Sequence, residues 1–386
     1  MRVLLIFFSY LFVFSAQALE PEARVMPSNG IDKALLGQIL FFDTTLSKNN
    51  RLNCASCHHP DHAFIDVRKN SAEGMVSQGD DPYRFGRRNS PTMLYAKYTP
   101  EFHFDEASQA YVGGLFWDGR AKDLQQQAGN PPLDPVEMEM PDKRSVAERL
   151  WQNPMYARLL TFHYGQEVWD SVEQVYTAME NALATFQREK PLLAPFDSKY
   201  DKFLKGEIAL TPLENQGRAL FFDKNGANCA SCHQLRSTQT AMEETFTNYH
   251  YYNIGVPKNR QLLIHNHLAE NTVDLGLFEN PLVNGDEKQK AKFKVPTLRN
   301  VAVTSPYMHN GVFKELRTVL LFLDHFNHSD RQINPETHRL WDEPEYAPTV
   351  NYNELKAKAL TDQEIDALEA FLRTLTDERY EPLLSQ

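Results

Sequence analysis

Past its first residues the chain has no apolar run near the ~20 residues that a membrane-spanning helix needs, because Asp, Lys and Asn interrupt every later one. A basic block is also missing: 40 Lys and Arg face 51 Asp and Glu, and the net charge of −11 is spread without an acidic tail. Nucleic-acid binding needs a basic face, so that class of partner is excluded. Strand signals are sparse, which predicts a mainly α chain with long loops. Cysteine is scarcest in relation to what it does: four residues in 386.

The opening, MRVLLIFFSYLFVFSAQALEPE, has one basic residue, a short apolar core and Ala16-Gln17-Ala18. That pattern predicts a signal peptide over 1–18 and a mature chain that is periplasmic, with no stable membrane anchor after cleavage. The remaining length suits two domains at ~150 residues each.

All four cysteines fall in one phrase written twice, NCASCH at Asn53–His58 and again at Asn228–His233. Two disulfides would be a thin framework for so large a chain. Zinc ribbons keep their paired knuckles ~15–20 residues apart, far closer than here. A redox dithiol has no need of a histidine after its second cysteine. C-x-x-C-H as a c-type haem site accounts for every letter: Cys54 and Cys57, or Cys229 and Cys232, add to the two vinyl groups of a haem, and His58 or His233 binds its iron. Two covalent haem c groups are therefore expected.

The repeat extends upstream. GQILFFD (Gly37–Asp43) and GRALFFD (Gly217–Asp223) each end an amphipathic stretch, and Phe41, Phe42, Phe221 and Phe222 read as core. Thr211-Pro212-Leu213-Glu214 starts a helix with a capping box and proline at its first position. Thr361 to Glu364 starts another, with Ile365, Leu368, Phe371, Leu372 and Leu375 on one face. A helix leading into C-x-x-C-H and a late helix crossing it resemble a cytochrome c domain, so two such domains in tandem are expected: 19–190 and 211–386, joined through the proline-broken stretch 191–210. Asn130–Pro141 and Asn271–Asp286 read as loops.

RRNSPT (Arg87–Thr92), FWDGRAKDLQQQA (Phe116–Ala128), PVEM (Pro135–Met138) and KVPTLRNVAVTSPYMHNGVF (Lys294–Phe313) are similar to motifs of the bacterial di-haem cytochrome c peroxidase/MauG family. The resemblance spans nearly the whole mature chain, in the right order around both haem motifs. It implies that His58 serves the peroxide-handling haem and His233 the electron-transfer haem. It matches Trp117 to a tryptophan between the haems, where the plain alternative is a buried interface aromatic, and Gln127 and Glu137 to a distal glutamine and glutamate. Asn89, Thr304 and Pro306 match positions holding calcium, the last two through backbone carbonyls. On this reading Glu137 moves the peroxide proton, Gln127 orients peroxide and Trp117 carries oxidising equivalents.

Two departures matter. Members whose catalytic haem rests blocked carry a distal histidine before RNSPT; here Gln78–Thr92 has none, Asp81 stands near the matching place, and His59 and His62 lie too close to the haem motif. An iron open at rest is expected. The family's methionine or tyrosine after YMHNG is here Leu323, which cannot bind iron. A five-coordinate second iron beneath Leu323 is expected, with His325 and then Met308 as other ligands to consider.

The resemblance implies a peroxidase reducing hydrogen peroxide with electrons from a small cytochrome c or cupredoxin. A MauG-like enzyme oxidising Tyr or Trp of a protein substrate is the alternative, and a non-catalytic electron carrier or sensor the third reading. A homodimer is one assembly to consider.

Overall fold

Most α-helix starts among the described residues are set by side chains that accept the orphan N–H groups of the first turn, that of Leu316–Asp324 being the exception. The computed structural model describes residues 30–385 except Ser237 and Asn284, so the expected signal peptide lies outside the described residues. Asp32 caps α1 (Lys33–Phe41). A four-residue turn, α2 (Cys54–Cys57), carries the first haem motif. Asp123 caps α3 (Leu124–Ala128) and Asp142 caps α4 (Lys143–Gln152). Asn153 caps α5 (Pro154–Tyr164), and Ser171 caps the long α6 (Val172–Glu189). The second half contains α7 (Lys199–Leu204), α8 (Pro212–Phe222), α9 (Arg260–His265), α10 (Leu316–Asp324) and α11 (Asp362–Arg373). The expected capping boxes at Thr211/Glu214 and Thr361/Glu364 are both formed. Among the described residues β structure amounts to three small antiparallel strand pairs, His103–Asp105 with Ala110–Val112, Tyr251–Tyr252 with Phe293–Lys294, and Ile333–Asn334 with Arg339–Leu340, besides isolated bridges.

Each half is built on one crossing of two helices. Leu36, Leu40 and Phe41 of α1 pack on Met179, Ala182, Leu183 and Phe186 of α6. Phe221 and Phe222 of α8 pack on Ile365, Leu368, Phe371 and Leu372 of α11. Both crossings are close because a glycine sits at the contact. A Cβ on Gly37 would lie 1.9 Å from the Ala182 carbonyl oxygen, and one on Gly217 would lie 1.8 Å from that of Ala367. Of the four expected core phenylalanines, Phe42 differs. It follows the last turn of α1, stacks edge-on against Phe41 and is 45% exposed.

Gly217→Ala is expected to destabilise the protein. Alanine gains up to about 1 kcal/mol in helix propensity, but a methyl driven into a backbone carbonyl forces the helices apart, and such overpacking costs about 1–3 kcal/mol or more. A clear drop in the thermal or denaturant midpoint checks this; an unchanged midpoint refutes the close crossing.

The stretch 191–210 is held firmly to the rest. It contains α7, whose Tyr200 belongs to the second core. Asp201 of α7 takes a buried two-pronged contact from Arg299, with one branch at 2.9 Å. The chain's end crosses back: Tyr380 is buried in the first core, Leu383 packs against it, and the Tyr380 hydroxyl donates to the Pro60 carbonyl at 3.0 Å.

Candidate active site

The two haem motifs share more than their letters. All four cysteines are free. His58 Nδ1 lies 3.0 Å from the Phe64 carbonyl oxygen, and His233 Nδ1 lies 3.1 Å from that of Phe246. A ring nitrogen donating to a peptide carbonyl leaves Nε2 as the unprotonated one, which is what an axial ligand requires. Burial lowers the pKa of His58 and that of His233, the latter to about 4, and both stay neutral. The backbones nevertheless differ. Asn53 caps α2 in a capping box with Ser56, whereas Asn228 is left-handed (φ 55°) and precedes a 3₁₀ turn, Cys229–Ser231.

Around the second motif lies a cavity of about 260 Å³, reached by Cys229, Cys232 and His233. Its walls are largely apolar, and α10 closes one side with Leu316, Val319, Leu320 and Leu323. Leu323 therefore lines the space, as does Met308. His325 does not: its Nδ1 meets the Phe322 carbonyl and its ring lies against Phe326, centroids 4.0 Å apart. Two residues along a helix turn the side chain by ~200°, so the same helix cannot present both Leu323 and His325 to the cavity. His325 is thus not placed to be the second iron's ligand.

Two polar residues on this cavity were missed in the sequence. His309 stacks on Phe293 at 3.5 Å between ring centroids, and its Nε2 is buried without a hydrogen-bond partner. Burial lowers its pKa to about 4 and that of Lys294 to about 8, Asp118 partly offsetting the shift at Lys294. A haem fits this donor set. Thiols and an Nε2 line an apolar volume, and the orphaned His309 nitrogen and Lys294, whose ammonium also donates to the Gly114 carbonyl, would be the partners for carboxylate side chains of a haem held there. Lys294 opens KVPT and His309 is the third letter of YMHNG, but nothing in either motif singles the residue out.

At the first motif, α3 and the following turns carry the other residues of interest. A chain of backbone hydrogen bonds runs from Gln127 through Asn130 and Asp134 to the Glu137 amide. The histidine-free loop pins this turn: the Asp80 N–H donates to the Glu137 carbonyl at 2.7 Å. A Cβ on Gly79 would lie 2.6 Å from the Val136 carbonyl oxygen. Asp81 instead faces Arg84 at 3.6 Å, and His59 and His62 contact each other, Nδ1 to Nδ1 at 3.2 Å. Burial pushes the Glu137 carboxyl up to about 7, with Asp134 adding to the shift and Arg120 opposing it. Burial likewise pushes Cys54 and Cys57 up to about 12, and the negative charge of Glu137 adds to the shift at both sulfurs. Glu137 is thus electrostatically coupled to the first motif.

Trp117 lines the second cavity, and its indole N–H donates to the Asn89 carbonyl at 2.9 Å. Asn89, Thr304 and Pro306 line a common cavity of about 10 Å³ with Asp66, Ser77 and Ser305. That is room for about one ion or water. The Ser77 hydroxyl is buried there without a partner, and Asp66 brings a carboxylate to the lining that the sequence motif did not include, both of its oxygens also accepting from Arg68.

Two thiol–thiol–histidine sites, one beside each of two related helix crossings, are those of a di-haem oxidoreductase. The chain belongs to the di-haem cytochrome c peroxidase family, whose profile matches residues 31–209. The methylamine utilization protein MauG of Paracoccus denitrificans is 46% identical over 380 residues, covering 95% of this chain and 97% of that one. The cytochrome c peroxidase Ccp of Escherichia coli is 31% identical over 298 residues, covering 76% of this chain and 53% of that one. Among solved structures, the diheme peroxidase BthA of Burkholderia thailandensis superimposes with a TM-score of 0.80 at 34% identity, covering 90% of this chain and 86% of that one. No helix among the described residues is long and apolar enough to cross a membrane.

Proposed function

We propose that the chain is an exported, periplasmic enzyme with two covalent c-type haems, one in 19–190 held by Cys54, Cys57 and His58, one in 211–386 held by Cys229, Cys232 and His233. It reacts with hydrogen peroxide in its resting, fully oxidised state. The observation that carries this is the pairing of Glu137, its carboxyl raised to about 7, with a neighbouring loop, Gln78–Thr92, that has no histidine to block an iron. A haem supplies the iron at which peroxide is bound and its oxidising equivalents are held. Glu137 takes the proton of the incoming peroxide and returns it to the leaving oxygen. Gln127 holds the peroxide by hydrogen bonds, and Trp117 passes electrons between the two sites. Asn89 and the carbonyls of Thr304 and Pro306, with Asp66, hold one calcium ion between the halves, oxygen donors being what that cation prefers.

MauG-like oxidation of Tyr or Trp in a protein substrate is favoured by the 46% identity to MauG along almost its whole length. Peroxide reduction with a small cytochrome c or cupredoxin as donor is favoured by Leu323, since the MauG-like tyrosine is missing. Mixing the oxidised protein with peroxide, with and without a reduced c-type cytochrome, separates them. Rapid oxidation of the carrier supports the peroxidase. A haem spectrum that changes and then persists without a donor supports the MauG-like enzyme. An inert haem spectrum refutes both.

Leu323→Tyr places a phenolate-capable side chain on the second cavity. With wild type expected to show high-spin ferric signals from both haems, the variant should convert one to low spin or to a tyrosinate-like spectrum. Electron paramagnetic resonance reads this; a low-spin bis-histidine signal in resting wild type would overturn the five-coordinate assignment.

A further inference from the structure

The two halves share a second repeat, Pro91-Thr92-Met93-Leu94-Tyr95 and Pro296-Thr297-Leu298-Arg299-Asn300. Both threonine hydroxyls donate at 2.6 Å to the carbonyl preceding the phenylalanine that holds a proximal histidine: Thr92 to Ala63, Thr297 to Thr245. Both motifs end on a left-handed residue, Tyr95 at φ 63° and Asn300 at φ 61°, followed by a 3₁₀ turn. Both then meet the same carboxylate. Tyr95 donates its phenol to Asp377 Oδ1 at 2.5 Å, and Asn300 Nδ2 donates to Asp377 Oδ2 at 2.7 Å. Asparagine suits a left-handed backbone. Tyrosine suits it less, but Phe64 and Tyr249 are left-handed here too, so what sets Tyr95 apart is the carboxylate it shares with Asn300.

We propose that Tyr95 is a redox-active residue that gives one electron to the peroxide-oxidised haem, with Asp377 as its proton acceptor. One electron leaves the phenol for the oxidised haem, the O–H bond breaks, and the proton moves to Asp377 Oδ1. The products are a neutral phenoxyl, a carboxylic acid and a haem reduced by one equivalent; an electron from the donor protein and the same proton restore the pair. Tyr95 is placed for this. On one side it follows the Thr92–Ala63 contact beside the His58 carbonyl partner. On the other, through Asp377 and Asn300, it adjoins the turn whose Val301 lines the second cavity. Both groups are out of water, Tyr95 at 2% and Asp377 at 0% exposure. The Arg299 guanidinium stands 5.3 Å from the Tyr95 ring centre and disfavours positive charge there, so oxidation requires the proton to leave. Arg299 and the more distant Asp197 are the charged neighbours, and burial raises the Asp377 carboxyl to about 6, a better base than an ordinary aspartate yet ionised at neutrality. Trp117 differs, because its N–H donates to a peptide carbonyl that cannot take a proton.

This inference rests on the peroxide reaction proposed above, and one experiment separates the two. The holoenzyme is mixed with peroxide, freeze-quenched and examined by electron paramagnetic resonance, while its haem spectrum is followed in parallel. Wild type should give an organic radical whose hyperfine structure narrows when the protein carries ring-deuterated tyrosine. Tyr95→Phe, with its haem content confirmed, should lose it at least tenfold. Asp377→Asn keeps an oxygen for the phenol but cannot take the proton, and should lower the yield about tenfold. A changed haem spectrum with no tyrosine-dependent signal, or an undiminished signal in Tyr95→Phe, overturns the inference alone. An unchanged haem spectrum overturns the peroxide reaction and the inference with it.

Discussion

Glu137→Gln slows the reaction with peroxide by about 10²–10⁴-fold, the usual worth of a positioned acid–base group, while haem content stays at the wild-type level. Glutamine keeps the length and shape of the side chain, and the turn that carries it is fixed by backbone contacts with Asp80 and Asp134. What is lost is the ability to accept and return a proton. The pH profile gives an independent check. Glu137 has to be ionised to take the first proton, and its carboxyl is raised to about 7. The wild-type rate should therefore rise as pH passes upward through about 7, and this limb should vanish in the glutamine variant. Stopped-flow mixing with peroxide measures both. A variant within about twofold of wild type would return Glu137 to a structural role.

Cys54→Ala with Cys57→Ala leaves one covalent haem per chain instead of two, the one at Cys229 and Cys232. Each pair of thiols serves one motif, and the second cavity is lined by its own Cys229, Cys232 and His233. His58 keeps its Phe64 partner, but an iron–histidine bond alone does not hold a haem through denaturation. Pyridine haemochrome titration of the denatured protein reads the stoichiometry. Two haems still attached would sink the assignment. Peroxide activation should disappear with the first haem, since Glu137 is coupled to that motif.

What was legible in the sequence was local. A capping box is closed within four residues, so Thr211 and Thr361 announced α8 and α11. The partner of α1 went unread although its signal was present. Ala182-Leu183 with Phe186 repeats Ala367-Leu368 with Phe371, the residues against which Gly37 and Gly217 close. Identical letters did not ensure identical backbone: Asn53 caps its turn and bonds the Phe42 carbonyl, while Asn228 reaches toward Lys356, far along the chain. Long-range closure was illegible for the same reason. Nothing near Asn89 points to Asp66 across the small cavity, and nothing near Tyr95 points to Asp377, 282 positions away. The side of α10 that presents Leu323 follows from helix geometry alone, but which side faces the cavity is decided by packing.

The return of the C-terminus to the first core has a bearing on the order of events during synthesis. Tyr380 and Leu383 complete a core whose other members are made much earlier. A ribosome delivers the first half well before Tyr380 and Leu383 exist, so that core stays incomplete until they are made. The second half can close α8 on α11 almost as soon as α11 is made. The half made first is thereby the half finished last.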